Sequence, residues 1–223
     1  MTIEEYFGDW LKVIDQKELK KVLVTVNQLY QSQDVMPEYE NIFKAFHLCP
    51  YNKLVAVFIG QDPYPQKGVA TGILFGNREG TKELSPSLEV VKESCIDYTV
   101  PHNPILFDVT LESWAAQGIL MINSALTVKQ NVPNSHTMIW RPFMSKLLAN
   151  LSIHESGILY VLFGNQAQTF NPYINKRYNE VLEVKHPAYY ARCNTKMPSQ
   201  LFKYVSSFVK NKYGKPIEWY KEL

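Results

Sequence analysis

An α/β fold, with a central and mostly parallel four-stranded sheet flanked by helices in a single domain over residues 1–223, is expected from three features of the chain. Four apolar runs are rich in β-branched and aromatic residues and too short for core helices. Each stops at a polar or turn-forming cluster, and the intervals between runs carry helical periodicity. Such intervals are long enough for the crossovers that parallel neighbours require. The first run, Leu54–Ile59, ends on Gly60-Gln61-Asp62-Pro63-Tyr64-Pro65, and the second, Ile119–Ile122, ends on Asn123-Ser124. The third, Ile158–Phe163, ends on Gly164-Asn165-Gln166, and the fourth, Val181–Val184, leads to His186-Pro187.

Helices are expected where apolar residues share one face: Phe143, Leu147, Leu148 and Leu151, then Leu201, Val205, Phe208 and Val209. Proline in a first turn should open helices at Pro37, at Pro86 after Ser85, and at Pro198, while Gly118 and Gly214 sit where helices should stop. No repeat, low-complexity stretch or linker divides the chain.

Composition narrows the function classes. A chain that is 46% hydrophobic and 13% aromatic is too apolar for a disordered segment, and no run approaches the roughly 18 apolar residues of a membrane span. The start, Met1-Thr2-Ile3-Glu4-Glu5-Tyr6, shows no export or organelle signal, so a cytoplasmic, or at least intracellular, location is expected. Cys49, Cys95 and Cys193 are odd in number and far apart, which argues against disulfides, a four-cysteine zinc site or an iron–sulfur cluster. With no zinc-enzyme or phosphate-loop motif either, chemistry free of metal and cofactor is expected. The balance of 23 basic and 21 acidic residues leaves a net charge of +2, which neither demands nor forbids a polyanionic partner.

In open α/β sheets ligands bind beyond the carboxyl ends of the strands, and all four polar clusters fall there. Taken singly, Asp62 is a good turn former, Asn123 a satisfied turn amide, His186 a structural histidine, and Tyr64 and Phe75 core aromatics. Taken together, a carboxylate, an amide, a histidine and two aromatics on one rim suit a flat heterocycle, whose edge the paired donor and acceptor of Asn123 would read. Ser85-Pro86-Ser87-Leu88 and Gly164-Asn165-Gln166-Ala167 each open an expected helix with free N–H groups and short polar side chains pointing outward. They read as anion sites or as ordinary caps.

Gly-Gln-Asp-Pro-Tyr at 60–64, Ser-Pro-Ser-Leu at 85–88, Leu120-Met121-Ile122-Asn123-Ser124-Ala125-Leu126-Thr127-Val128 and His186-Pro187, in this order, resemble the family 1 uracil-DNA glycosylases. The likeness runs from Asn41-Ile42-Phe43-Lys44-Ala45-Phe46, through Asn134-Ser135-His136 and Trp140, to Lys215-Pro216-Ile217-Glu218-Trp219. The resemblance implies a monofunctional enzyme that flips uracil out of single- or double-stranded DNA and hydrolyses its glycosidic bond, leaving an abasic site for base excision repair. It implies that Asp62 positions water and stabilises the sugar cation, and that neutral His186 donates to the departing base. Phe75 would stack on the ring, Asn123 would reject cytosine, and Tyr64 would reject thymine by bulk, with Gln61 assisting. No lysine matches a catalytic position, so strand cleavage through a Schiff base is not expected.

Phosphate contacts would come from Ser87, from Gly164, Asn165 and Gln166, and from the segment after His186. The chain departs from the family pattern in three places. Pro65 replaces the usual His, Asn165 the usual Ser, and Ala188-Tyr189-Tyr190-Ala191 stands where Ser-Pro-Leu-Ser is usual. Tyr190 would then be the wedge that fills the gap left by the flipped base, a one-residue shift would nominate Tyr189, and Arg192 would replace the lost phosphate contact. A monomer acting on uracil-containing DNA is expected, without membrane association, and a protein inhibitor or replication partner is left open. Two other readings remain: a DNA-binding scaffold with decayed chemistry, and a hydrolase of free nucleosides.

Overall fold

The four apolar runs become the four strands of one sheet in a computed structural model, which describes residues 2–223. In chain order the strands are β1 (Val35–Met36), β2 (Ala56–Gly60), β3 (Ile105–Leu106), β4 (Ile119–Asn123), β5 (Val128–Lys129), β6 (Leu159–Phe163), β7 (Glu180–Val184) and β8 (Lys221–Glu222). The helices are α1 (Ile3–Phe7), α2 (Gln16–Ser32), α3 (Lys44–Leu48), α4 (Pro86–Thr99), α5 (Glu112–Ala116), α6 (Thr137–His154), α7 (Gly164–Gln168), α8 (Pro187–Cys193) and α9 (Gln200–Tyr213). The central sheet runs β4-β2-β6-β7 with every pairing parallel, and the two-residue strands form two small antiparallel ladders, β1 with β5 and β3 with β8.

Both faces of the sheet are covered, which is why its inner strands are apolar throughout rather than alternating. Val57, Ile59, Leu120, Ile122 and Leu162 face a core shared with Leu19, Val22 and Val26 of α2 and Phe143, Leu147, Leu148 and Leu151 of α6. Phe58, Ile119, Met121, Val161 and Phe163 face a second core, with Leu88 and Val91 of α4, Trp114 of α5 and Leu201, Phe202, Val205 and Val209 of α9. The inward faces expected for α6 and α9 are therefore the observed ones, with Phe208 only partly buried. Of the two edge strands, β4 is buried throughout, whereas β7 carries half-buried Glu180 and exposed Glu183.

Pro86 opens α4 behind the N-cap Ser85, and Pro198 stands two residues ahead of α9. Pro37 opens no helix. It follows β1 and leads into a 3-10 turn at Tyr39–Asn41, because a fixed φ serves a turn as well as a helix start. Gly118 joins α5 to β4 with φ +98°, and a Cβ there would lie 1.9 Å from the Lys53 carbonyl oxygen. Its own carbonyl accepts from the amides of Val55 and Ala56, so the turn is tied to the start of β2. Gly118→Ala must pay the left-handed penalty of about 1–2 kcal/mol and relieve a backbone overlap besides. We expect it to lose about 2–4 kcal/mol in urea unfolding, and a loss under about 1 kcal/mol would count against this account of the turn.

Candidate active site

The parallel register places Gly60 opposite Asn123, so the loops that leave β2 and β4 begin side by side. A Cβ on Gly60 would meet Asn123 Oδ1 at 2.9 Å and Leu74 Cδ1 at 2.2 Å, so a larger residue would have to displace these two side chains. The two loops are then stapled together. The Ser124 N–H donates to the Gly60 carbonyl at 3.0 Å, and the Ser124 hydroxyl and Ala125 N–H donate to the Gln61 carbonyl at 2.6 and 3.1 Å. The slot above them is lined by Asp62, Tyr64, Phe75, Asn123 and His186, five of the residues expected from sequence.

Asp62 Oδ2 accepts the backbone N–H of Asn134 at 2.6 Å. Burial raises the Asp62 pKa above the ordinary carboxylate value, and the Asn134 N–H and the Gln61 side chain, both bonded to the charged form, pull it part of the way back. Gln61 thus acts on Asp62 and lies outside the slot lining. Asn134 sits in the left-handed region, φ +65°, within a strap that the Asn131 N–H ties to the Pro65 carbonyl at 2.9 Å. The strap ends at buried His136, whose ring nitrogens lie 3.0 Å from Gln33 Nε2 and 3.0 Å from Thr127 Oγ1. In the sequence alone Asn134 and His136 stand only as markers of the family resemblance. Asparagine's tolerance of positive φ was the available signal for a special turn there.

His186 caps α8, its Nδ1 accepting the Ala188 N–H at 3.1 Å. A nitrogen that accepts carries no proton, so in the neutral ring the proton resides on Nε2. Burial first, and the charge of Arg192 second, lower the His186 pKa to about 4. Gly164, at φ +82°, lets the ring in: a Cβ there would lie 2.9 Å from His186 Cβ. Phe75 meets Phe163 and His186 edge-on, with centroids 5.2 and 5.4 Å apart, and holds φ +64°, a strained value for a bulky residue that its packing must enforce. Burial pushes the Tyr64 phenol up to about 12, so it stays neutral. Asn123 Oδ1 is buried and has no hydrogen-bond partner, one of six such side-chain atoms among the described residues and the one whose residue lines the slot.

The remaining expected residues lie around this slot. Ser87 is buried beside the Tyr64 hydroxyl rather than facing outward, because the first turn of α4 packs against that ring. Gly164 and Gln166 are half-buried and Asn165 exposed at the start of α7. On α8, Tyr190 packs against the second core, Arg192 is exposed, and the exposed ring of Tyr189 lies under Lys185 Nζ at 4.0 Å.

A family profile described as the uracil DNA glycosylase superfamily matches residues 46–209. The chain belongs to that superfamily. A uracil-DNA glycosylase of Mesomycoplasma hyopneumoniae is 31% identical over 98% of this chain and 97% of its own length. One from Brevibacillus brevis is 29% identical over 95% and 93%. A crystal structure of mimivirus uracil-DNA glycosylase shares the fold with a TM-score of 0.76 at 20% identity, covering 97% of this chain and 91% of that one. A variant of mimivirus UNG in complex with UGI gives the same TM-score.

The His186 assignment is open to nitrogen NMR across pH. The imidazole should stay neutral, with its proton on Nε2, down to about pH 4, and Arg192→Gln should move the midpoint upward by removing a nearby cation. A midpoint near 6.5 in the folded protein would show that burial does not control this ring.

Proposed function

We propose that this chain is a uracil-DNA glycosylase that hydrolyses the bond between uracil and deoxyribose in DNA and leaves an abasic site. The observation that carries this reading is the orphaned Asn123 Oδ1, buried in a slot that also contains a carboxylate and a neutral histidine. Uracil presents an N3–H to such an acceptor. Cytosine presents a bare N3 lone pair there, and leaving a buried acceptor facing another acceptor costs about 1–3 kcal/mol.

The mechanism follows from the charges that form. As the C1′–N1 bond breaks, its electron pair flows onto the base and collects on a carbonyl oxygen. The His186 Nε2–H donates to that oxygen without transferring a net charge, and such a preorganised donor is worth about 100- to 1,000-fold in rate. Positive charge left at C1′ is offset by the Asp62 carboxylate, whose Oδ2 is held by Asn134 while Oδ1 orients the attacking water. Phe75 stacks on the uracil ring, and Tyr64 occupies the space that a C5 methyl would need.

Gly164, Asn165, Gln166 and Arg192 would bind phosphates without reading sequence, which suits an enzyme that searches all DNA, whereas the Ser87 side chain expected to join them is turned in against Tyr64. Tyr190 would fill the stack after base flipping. The chain would act as a monomer, and a UGI-type protein inhibitor of the kind bound by the mimivirus variant is its candidate protein partner. No observation favours a scaffold with decayed chemistry.

Incubating single- and double-stranded uracil oligonucleotides with the protein and a chelator, then treating with alkali, tests the reading; intact strands would overturn it. In the same assay Asp62→Asn should slow excision by about a hundredfold or more at near-normal DNA affinity, because the fixed anion is gone. Unchanged turnover would remove its assigned role. Asn123→Asp should make cytosine a substrate, since a protonated carboxyl can donate to the bare N3, and continued rejection would refute the amide's role in base choice. Tyr190→Ala should slow duplex substrates more than single strands. If Tyr189→Ala alone shows that difference, the wedge is its neighbour.

A further inference from the structure

Tyr64 is fixed by a one-way chain of hydrogen bonds that begins at Asn77. That amide is 1% exposed, and its backbone N–H is anchored on the Val109 carbonyl at 2.8 Å. Its Oδ1 accepts the Ser85 N–H at 2.8 Å, so its Nδ2 faces the Ser85 hydroxyl and donates to it at 3.1 Å. An amide nitrogen can only donate, which forces Ser85 Oγ to accept. The hydroxyl's single proton is then free for Tyr64, to which it donates at 2.6 Å. Tyr64 in turn donates to the Phe75 carbonyl at 3.3 Å.

Each direction in this chain is dictated by the one before it, and it ends on the residue whose ring stacks on the base. Ser85 is also the N-cap of α4, yet its side chain makes no capping bond. A serine there ordinarily satisfies a free helix N–H, a contact of appreciable worth. Here the hydroxyl is turned to the phenol instead. Local helix stability is forgone for the position of Tyr64.

We propose that Asn77 and Ser85 are positioning residues for base specificity, holding Tyr64 against C5 of the flipped pyrimidine so that 5-substituted bases are excluded. Neither residue lines the slot. They act through Tyr64, and the proposal rests on the glycosylase reading given above. Its substrate consequence is graded: a C5 substituent the size of hydrogen passes, a methyl or a bromine does not. Without the Ser85 donor the phenol keeps only the Ser87 hydroxyl and the long bond to the Phe75 carbonyl, a looser hold that lets the ring swing and admits the larger groups, while uracil, which never touches that limit, is processed as before.

The test compares wild type with Ser85→Ala, Asn77→Val, Ser85→Thr and Tyr64→Ala on duplex oligonucleotides carrying uracil, 5-fluorouracil, 5-bromouracil or thymine opposite guanine. The readout is kcat/KM for each base relative to uracil with the same enzyme. Comparing one base across enzymes cancels its leaving-group electronics. Ser85→Ala and Asn77→Val should raise the 5-bromouracil and thymine ratios about tenfold, the worth of one typical hydrogen bond, and leave 5-fluorouracil and the absolute uracil rate within about threefold. Ser85→Thr, which keeps the hydroxyl, should behave as wild type. Combining the two substitutions should add little, because both break the same chain.

If Tyr64→Ala raises the ratios and Ser85→Ala does not, the clamp is refuted while the pocket stands. If Tyr64→Ala raises none, Tyr64 is not the C5 wall, and the clamp falls together with that part of the pocket assignment. Loss of uracil excision in wild type would instead strike the glycosylase reading itself. Should the buried Asn77→Val fail to fold, half-buried Ser85→Ala decides the matter alone.

Discussion

The register that sets Gly60 against Asn123 is the constraint on which the slot depends. Parallel strands carry their carboxyl ends to one edge, and there the absence of a single Cβ lets a side-chain amide stand against the neighbouring strand's backbone. The bonds from Ser124 and Ala125 to the β2 loop then fix where Asp62 and Tyr64 emerge. A second glycine, Gly164 at the start of α7, does the corresponding work on the far wall by admitting His186. Two glycines, one behind each wall, thus allow Asn123 and His186 their close approach.

Burial acts on the two ionisable walls in opposite directions of pKa and with one result. It lifts Asp62 and depresses His186, disfavouring the charged form of each. The protein spends hydrogen bonds on the carboxylate, from Asn134 and Gln61, and gives the imidazole an N–H that settles its tautomer without charging it. A hydrogen-bonded carboxyl group stands on one wall and a neutral donor on the other; under the proposed glycosylase reading the first would face the sugar and the second the base. That asymmetry matches bond breaking that leaves the sugar electron-poor and the base electron-rich.

Much of this was legible in the chain because it depends on short-range pattern. The four strand runs, the two amphipathic helices and the clusters at their ends follow from periodicity, and the cluster residues Asp62, Tyr64, Asn123 and His186 do line one slot, together with Phe75 from outside them. What was not legible depends on non-local contacts or on main-chain atoms. Pro37 could not be told from a helix opener, since its ring fixes φ without saying what precedes it. Ser87 reads as an outward cap residue until the ring of Tyr64, 23 positions earlier, is seen to cover it. The Asn77–Ser85–Tyr64 chain joins a loop, a helix cap and a turn, and no periodicity links those positions.

The partner of the Asp62 carboxylate at Asn134 is an amide of the polypeptide backbone. Every residue type but proline supplies that group, so replacing the side chain would register only the strain of the left-handed φ and say nothing of the bond that steadies the Asp62 carboxylate. Essential groups of this sort are invisible to a substitution survey and emerge only when the connectivity of the main chain itself is altered, by an ester linkage or by a change in strap length.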